Sequence, residues 1–184
     1  QVVPPPPTVT NNCSAALTRT GPVVSADPVC SGIKTYTWTY TDCTGSTAQW
    51  TFTYTIDPPT FTLPADEGSN VPCLSDAQVI PTPPTVTNSC GDPVNATGPV
   101  TGSDPACSGI KTYTWTYTDC DGTSADWVYT YTIDAPMIVL PADDGSTVDC
   151  IAEAQVVPSP PAIDDSCGEP VIPTGPVVSP DPVC

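Results

Sequence analysis

Large rings alternate with threonine along one stretch of the chain that occurs twice. In residues 34–43, KTYTWTYTDC, aromatic side chains take every second position and threonines fill the positions between them. Successive residues of a strand point to opposite faces, and aromatic and β-branched residues both favour strands. The alternation therefore predicts a strand with one aromatic face and one threonine face, repeated at 111–120.

A second alternating stretch follows a segment rich in turn-forming residues. Residues 42–49 contain Asp, Gly, Ser and Thr, and residues 50–56 then alternate rings or isoleucine with threonine. The two stretches together predict a β-hairpin, with a second copy at 112–118 and 127–133. We expect its ring-bearing face to pack inward and its threonines to face water. The predicted core aromatics are Tyr36, Trp38, Tyr40, Trp50, Tyr113, Trp115, Tyr117 and Trp127.

Prolines divide the remaining sequence into short apolar segments. Residues 61–63, 78–80, 85–87 and 98–100 are each bounded by proline or turn residues, which is typical of edge strands and connections. No segment has the periodicity of a helix. About seven short strands per repeat favour an all-β fold of immunoglobulin-like β-sandwiches.

The whole sequence repeats with a period of 77 residues. Gln1-Val2-Val3-Pro4 returns at 78–81 and 155–158, and residues 31–43 are identical to 108–120. Such self-similarity is the signature of a repeat architecture. We predict a partial repeat that lacks its first strands, a complete repeat, and a partial repeat that lacks its last hairpin. Their predicted bounds are 1–57, 58–134 and 135–184, and we expect the array to continue beyond this sequence.

The composition narrows the classes of function. The formal net charge of −17 comes from three basic and twenty acidic residues, and this charge repels nucleic acid and anionic membranes. No run of about 18 apolar residues exists, so we expect no membrane insertion. The chain has no histidine, the commonest general base and metal ligand. Ten cysteines instead predict disulfides and an extracellular or cell-surface location.

Four cysteines recur in each period. If 35–42 is one strand, Cys30 and Cys43 lie too far apart to pair, because the strand alone spans about 26 Å and bridged Cα atoms lie within about 7 Å. Assigning the remaining cysteines to the two ends of a sandwich gives one prediction and leaves one alternative, Cys73–Cys90 with Cys107–Cys120. The predicted bridges are Cys13–Cys43, Cys73–Cys107, Cys90–Cys120 and Cys150–Cys184, with Cys30 and Cys167 paired outside this sequence.

Acidic residues and sequons suggest further sites. Carboxylates near the two predicted repeat junctions are weak calcium candidates, since calcium takes several oxygen ligands; no other cofactor is expected. Asn95-Ala96-Thr97 and Asn12-Cys13-Ser14 match the N-glycosylation sequon, and exposed Ser and Thr offer O-linked sites. The calcium candidates are Asp57, Asp66, Glu67, Asp134, Asp143 and Asp144.

Several longer motifs resemble a known family. "TYTWTYTDCTGSTAQWTFTYTID", "PPTVTNSCG", "TGPV" and "LPADDGS" are similar to the HYR-like, immunoglobulin-type repeats of long secreted surface proteins of Bacteroidota. The resemblance spans the chain. It implies the β-sandwich fold and a role as a stalk of a surface adhesin or as an extracellular fibre, and it brings no catalytic residues.

The sequence therefore predicts a structural repeat rather than an enzyme. We expect a stiff surface filament or adhesin stalk, with other copies of the same repeat as partners and attached or bound glycans as further ones. The alternative is a carbohydrate-binding surface module, in which exposed rings stack on sugars. Its candidate rings are Trp38, Trp50, Trp115 and Trp127.

Overall fold

The computed structural model describes residues 2–12 and 15–181. Among these residues the chain forms two compact units. The first comprises Gln1–Pro64, Pro83–Thr97 and Thr116–Trp127, and the second Ala65–Thr82, Gly98–Trp115 and Val128–Cys184. The predicted repeat bounds at 57/58 and 134/135 remain a sequence-based prediction.

The first hairpin forms as the alternation predicts. Strands β1 (Thr18–Val24), β2 (Gly32–Thr41) and β3 (Thr47–Ile56) make an antiparallel sheet in the order β1-β2-β3. Trp38 lies opposite Trp50 in the register of β2 and β3. The aromatic positions of the two strands therefore fall on one face.

The second copy of the hairpin belongs to a four-stranded sheet. Its strands are β4 (Glu67–Val71), β7 (Ala96–Thr101), β8 (Gly109–Thr118) and β9 (Ser124–Ile133), in the order β4-β9-β8-β7. β4 runs parallel to β9. The remaining elements are the ribbon of β5 (Val86–Thr87) and β6 (Pro93–Val94), a 3₁₀ turn at Asp76–Gln78 and the one-turn helix α1 (Ile151–Ala154).

The chain is thus nearly all β, as predicted. No helix in the part of the chain that the structure describes is long and apolar enough to cross a bilayer.

Some of the short predicted strands are wrong. Residues 61–63 and 78–80 form no strand, while β5 covers 86–87 and β7 contains 98–100. Val79 and Ile80 are exposed, so their apolar character does not place them in a core. In these segments the neighbouring prolines remove amide donors, which disfavours strand pairing.

Two strands, β4 and β6, were not predicted, whereas β1 contains residues 21–23, one period before the predicted segment 98–100. The sequence of β4, EGSNV, has no apolar alternation, and its pairing with β9 depends on the backbone. Gly68 permits the close approach, because a Cβ atom there would lie 2.4 Å from the carbonyl oxygen of Thr130. The carboxylate of Asp66 accepts a hydrogen bond from the amide of Val128 (2.9 Å) at the start of this pairing.

The rings of the hairpins are the core of the molecule. Seven of the eight predicted core aromatics are buried, and Trp50 is half-buried against the cluster of Tyr36, Trp38 and Tyr40. Tyr113 donates its hydroxyl proton to the carbonyl oxygen of Ala77 (2.9 Å), so its polar tip is satisfied inside. On the opposite face the threonines of β2 are half-buried rather than fully exposed, and the hydroxyls of Thr37 and Thr51 hydrogen-bond across the strands (2.9 Å).

Candidate functional site: cysteine bridges across repeats

Two disulfides join distant parts of the sequence. Cys30 pairs with Cys120 and Cys73 with Cys167, and the Cα atoms are 5.6 Å apart in each bridge, a usual disulfide distance. The sequence separations are 90 and 94 residues, both longer than the period of 77. Each bridge therefore connects one sequence repeat to the next.

Turns hold several cysteines in place. The carboxylate of Asp165 accepts hydrogen bonds from the amides of Cys167 (2.8 Å) and Glu169 (3.0 Å). One period earlier, the side chain of Asn88 accepts from the amides of Cys90 and Asp92 (both 3.0 Å). Short polar side chains that bind their own backbone make such turns at low cost. Cys90 and Cys167 therefore sit at the tips of equivalent, preorganised turns.

This pairing corrects the predicted one. Cys73 pairs with Cys167 instead of Cys107, and Cys120 pairs with Cys30 instead of Cys90. Cys30 and Cys167, expected to pair outside this sequence, pair within it, and the alternative Cys73–Cys90 with Cys107–Cys120 is also absent.

The physical reason lies in the repeat itself. Every cysteine recurs with the period, so spacing cannot distinguish a partner within a repeat from the same position in the next one. The predicted pairing assumed that each sandwich forms disulfides only between its own cysteines.

Two predicted bridges involve residues outside the described ones. Cys13 and Cys184 are the residues concerned, so the Cys13–Cys43 and Cys150–Cys184 predictions fall partly outside the described structure. Of the cysteines that the structure describes, four are exposed free thiols: Cys43, Cys90, Cys107 and Cys150.

Two lysines, Lys34 and Lys111, are buried although the sequence did not predict it. Lys34 donates to the carbonyl oxygen of Ser25 (2.5 Å) and forms an ion pair with Asp27 (2.7 Å). One period later, Lys111 is 3% exposed and contacts Asp104 (2.5 Å) and Gln78 (2.7 Å). A signal was available, because in the alternation each lysine lies on the same face as the rings that follow it.

The ion pair of Lys111 shifts the titration of both partners. The hydrogen bond from Lys111 holds the pKa of Asp104 below its ordinary value of 3.8. The same hydrogen bond is the main reason that the pKa of Lys111 is raised above its ordinary 10.5. Both groups are therefore charged over the whole neutral range, and the pair acts as a structural anchor.

The calcium candidates do not gather into a cluster. Within residues 2–12 and 15–181, no group of three or more acidic, cysteine or histidine side chains has the geometry to hold a metal ion. Asp66 instead accepts the amide of Val128 beside β4.

The rings proposed for sugar stacking are not presented to solvent. Trp38, Trp115 and Trp127 are buried and Trp50 is half-buried. Stacking on a sugar needs an open ring face, so these side chains do not form a platform. Asn95, in the one sequon that is fully described, is exposed.

These features define a disulfide-linked, all-β tandem repeat. A family model, HYR-like domain with 4 cysteines, matches residues 1–56, 61–133 and 138–184. The chain belongs to this family. HYR-like domains are extracellular repeat domains and a structural rather than an enzymatic type. No curated protein matches the chain.

Proposed function

We propose that the chain is a load-bearing segment of a long extracellular protein that forms a stiff surface filament or adhesin stalk. The observation that carries the proposal is that both disulfides join consecutive repeats. A bridge of this kind links each repeat covalently to its neighbour. Such links favour a continuous rod over a string of independent domains.

The charge and the surface fit the same role. A net charge of −17 favours solubility, and it disfavours nucleic acid as a partner. The partners we propose are further copies of the repeat, and glycans attached to exposed Asn, Ser or Thr. We propose that the chain comes from a bacterial surface protein of the Bacteroidota type that the motifs resemble. We propose neither a catalytic activity nor a cofactor.

Electron microscopy of the secreted protein from its native source tests the proposal. The expected result is uniform filaments or rods whose axial repeat corresponds to one or two sandwiches. Dispersed, flexible beads would contradict it, because bridges between consecutive repeats would then not stiffen the array.

A glycan array tests the competing binding function. The parent chain and the variant Trp50→Ala are compared, since Trp50 is the least buried of the four tryptophans. We expect no glycan bound by the parent. A glycan that binds the parent and is lost in the variant would favour the carbohydrate-binding module.

A further inference from the structure

Three polar side chains meet at the tip of Lys111. Its ammonium nitrogen lies 2.7 Å from the amide oxygen Oε1 of Gln78 and 2.5 Å from Oδ1 of Asp104. The other carboxylate oxygen of Asp104, Oδ2, accepts a hydrogen bond from Nε2 of Gln78 (3.3 Å). The carboxylate therefore contacts an amine and a carboxamide that also contact each other.

Two tyrosines fix the backbone on both sides of Gln78. Tyr113 donates its hydroxyl proton to the carbonyl oxygen of Ala77 (2.9 Å), and Tyr131 donates to that of Val79 (3.0 Å). The lysine is fixed as well, since it lies within β8 and is 3% exposed. The fold therefore holds the amine and the carboxamide in contact.

The same three residue types recur with the period. One period later, Gln155 donates to Asp181 (3.0 Å). One period earlier, Lys34 pairs with Asp27 (2.7 Å), while the glutamine at the matching position, Gln1, lies outside the described residues. An ion pair needs only the lysine and the aspartate. The recurring glutamine therefore calls for a role of its own.

We propose that the side chains of Lys111 and Gln78 join in an amide bond, with loss of ammonia and with Asp104 as the catalytic residue. Before it reacts, the trio is the ion pair described above. The link closes a ring through residues 78–111, so it ties the turn after β4 covalently to the start of β8. This modification belongs to the single repeat and goes beyond the proposed filament.

The reaction balances without an oxidant or a second substrate. Asp104 accepts a proton from the ammonium, and the neutral amine attacks the carbonyl carbon Cδ of Gln78. The bond from Cδ to Nε2 then breaks, and Asp104 returns the proton to the departing nitrogen. The lysine nitrogen gives up two protons in all, which leave with Nε2 as an ammonium ion. One C–N bond forms, one breaks, and the total charge is unchanged.

The neutral amine is the scarce reactant. The hydrogen bond with Asp104 is the main cause that raises the pKa of Lys111 above its ordinary 10.5, so fewer than about one lysine in a thousand is neutral at physiological pH. A well-oriented neighbouring group reacts with an effective molarity of about 10⁵–10⁸ M, which offsets this scarcity. Gln78 is exposed, so the ammonia escapes into water and the reaction does not reverse.

The test uses the full chain, incubated at about pH 9 to increase the neutral amine. Asp104 and Tyr113 are the titratable groups that the structure places beside this ammonium. The incubated chain is unfolded, reduced, alkylated and digested with trypsin, which does not cut after an acylated lysine. We expect the cut after Lys111 to be missing and the peptide that spans it to be lighter by one ammonia. Fragment ions that join Gln78 to Lys111 distinguish the link from cyclisation of Gln1, which also releases ammonia.

Gln78→Glu and Gln49→Glu are matched variants. Gln78→Glu removes the amide nitrogen that leaves, so trypsin should cut fully after Lys111. Gln49 is exposed on β3, and the same change there should leave the link in place. Asp104→Asn, checked by circular dichroism to be folded, should slow the link about a hundredfold or more, because the proton carrier is lost.

Two results would overturn the proposal. One is complete cleavage after Lys111 in the incubated parent, and the other is a link that forms equally fast in Asp104→Asn. The filament is judged separately by electron microscopy. Beads made of linked chains would remove the filament and leave the link, and filaments made of unlinked chains would do the reverse.

Discussion

Lys34 and Lys111 are buried at one end of an aromatic face. Each precedes the rings of its strand by two positions, so strand alternation alone turns it inward. Its ammonium reaches the loop before the strand, where Asp27 or Asp104 neutralises it. The alternation therefore predicts that the lysine side chain points inward. Its acidic partner was not predictable, because that depends on the path of a loop without periodicity.

Removing the acidic partner is expected to destabilise the fold. Asp104→Asn leaves the buried ammonium of Lys111 without its counter-charge, and an uncompensated buried charge is costly. We expect a lower midpoint of urea unfolding, followed by circular dichroism. Asp149→Asn makes the same change at an exposed position and should leave the midpoint unchanged. Equal midpoints for both variants would show that the ion pair does not contribute.

The same pair predicts a dependence on pH. Asp104 has a lowered pKa, so its contribution to stability is complete above 3.8 and is lost as the pH falls through the folded-state pKa. Lys111 has a raised pKa, so its contribution is complete below 10.5 and is lost as the pH rises through its folded-state value. The stability difference between the parent and Asp104→Asn should therefore shrink below pH 3.8 in urea titrations. A difference that stays constant into acid would contradict this assignment.

Two equivalent tryptophans are expected to differ in their contribution. Trp127 is 1% exposed and Trp50, one period earlier, is half-buried. Trp127→Ala should lower the free energy of unfolding by about 3–5 kcal/mol, and Trp50→Ala by clearly less. Urea unfolding followed by far-UV circular dichroism measures both. Equal losses would mean that both hairpins are equally covered in solution.

At the scale of elements, alternation predicts the strands that bury side chains. The hairpins β2–β3 and β8–β9 follow from their sequences, because a ring at every second position has only one way to be buried. β4 was not predictable in this way, because its stability comes from backbone pairing with β9 rather than from its own side chains. The unpaired residues 143–148 make the same point, since a nearly identical sequence forms no strand without a partner.

Gly68 and Gly145 occupy equivalent positions of the repeat, and only Gly68 lies in a paired strand. Replacing each with valine therefore compares the same substitution with and without a pairing partner. Gly68→Val places a Cβ atom 2.4 Å from the carbonyl oxygen of Thr130, so β4 has to shift away from β9. We expect a loss of about 1–3 kcal/mol in the free energy of unfolding and faster hydrogen exchange of the β4 amides. Gly145→Val meets open space in the single chain and should leave its stability unchanged. A protected β4 in Gly68→Val would show that the parallel pairing tolerates a side chain.

For the whole molecule, the period predicts the repeat but not its connections. The family match to three segments agrees with the self-similarity of the sequence. The cysteine connectivity was not predictable, because a strictly periodic chain offers each thiol the same partner in several repeats. Only the folded path of the chain decides between them.

The bridges should contribute strongly to stability. Each closes a loop of about 90 residues, for which the chain-entropy model gives about 4.6 kcal/mol as an upper value. Paired variants, Cys30→Ser with Cys120→Ser, remove one bridge without leaving a lone thiol. We expect a loss of about 2–4 kcal/mol in urea unfolding. An unchanged midpoint in this double variant would contradict the Cys30–Cys120 assignment.

The two bridges also overlap along the sequence, since the loop from 30 to 120 and the loop from 73 to 167 share residues 73–120. Every peptide bond between residues 30 and 167 therefore lies inside at least one closed ring. A single protease cut anywhere in that span leaves both sides of the cut covalently joined. The overlapping rings therefore keep the chain in one covalent piece after any single cleavage in this span.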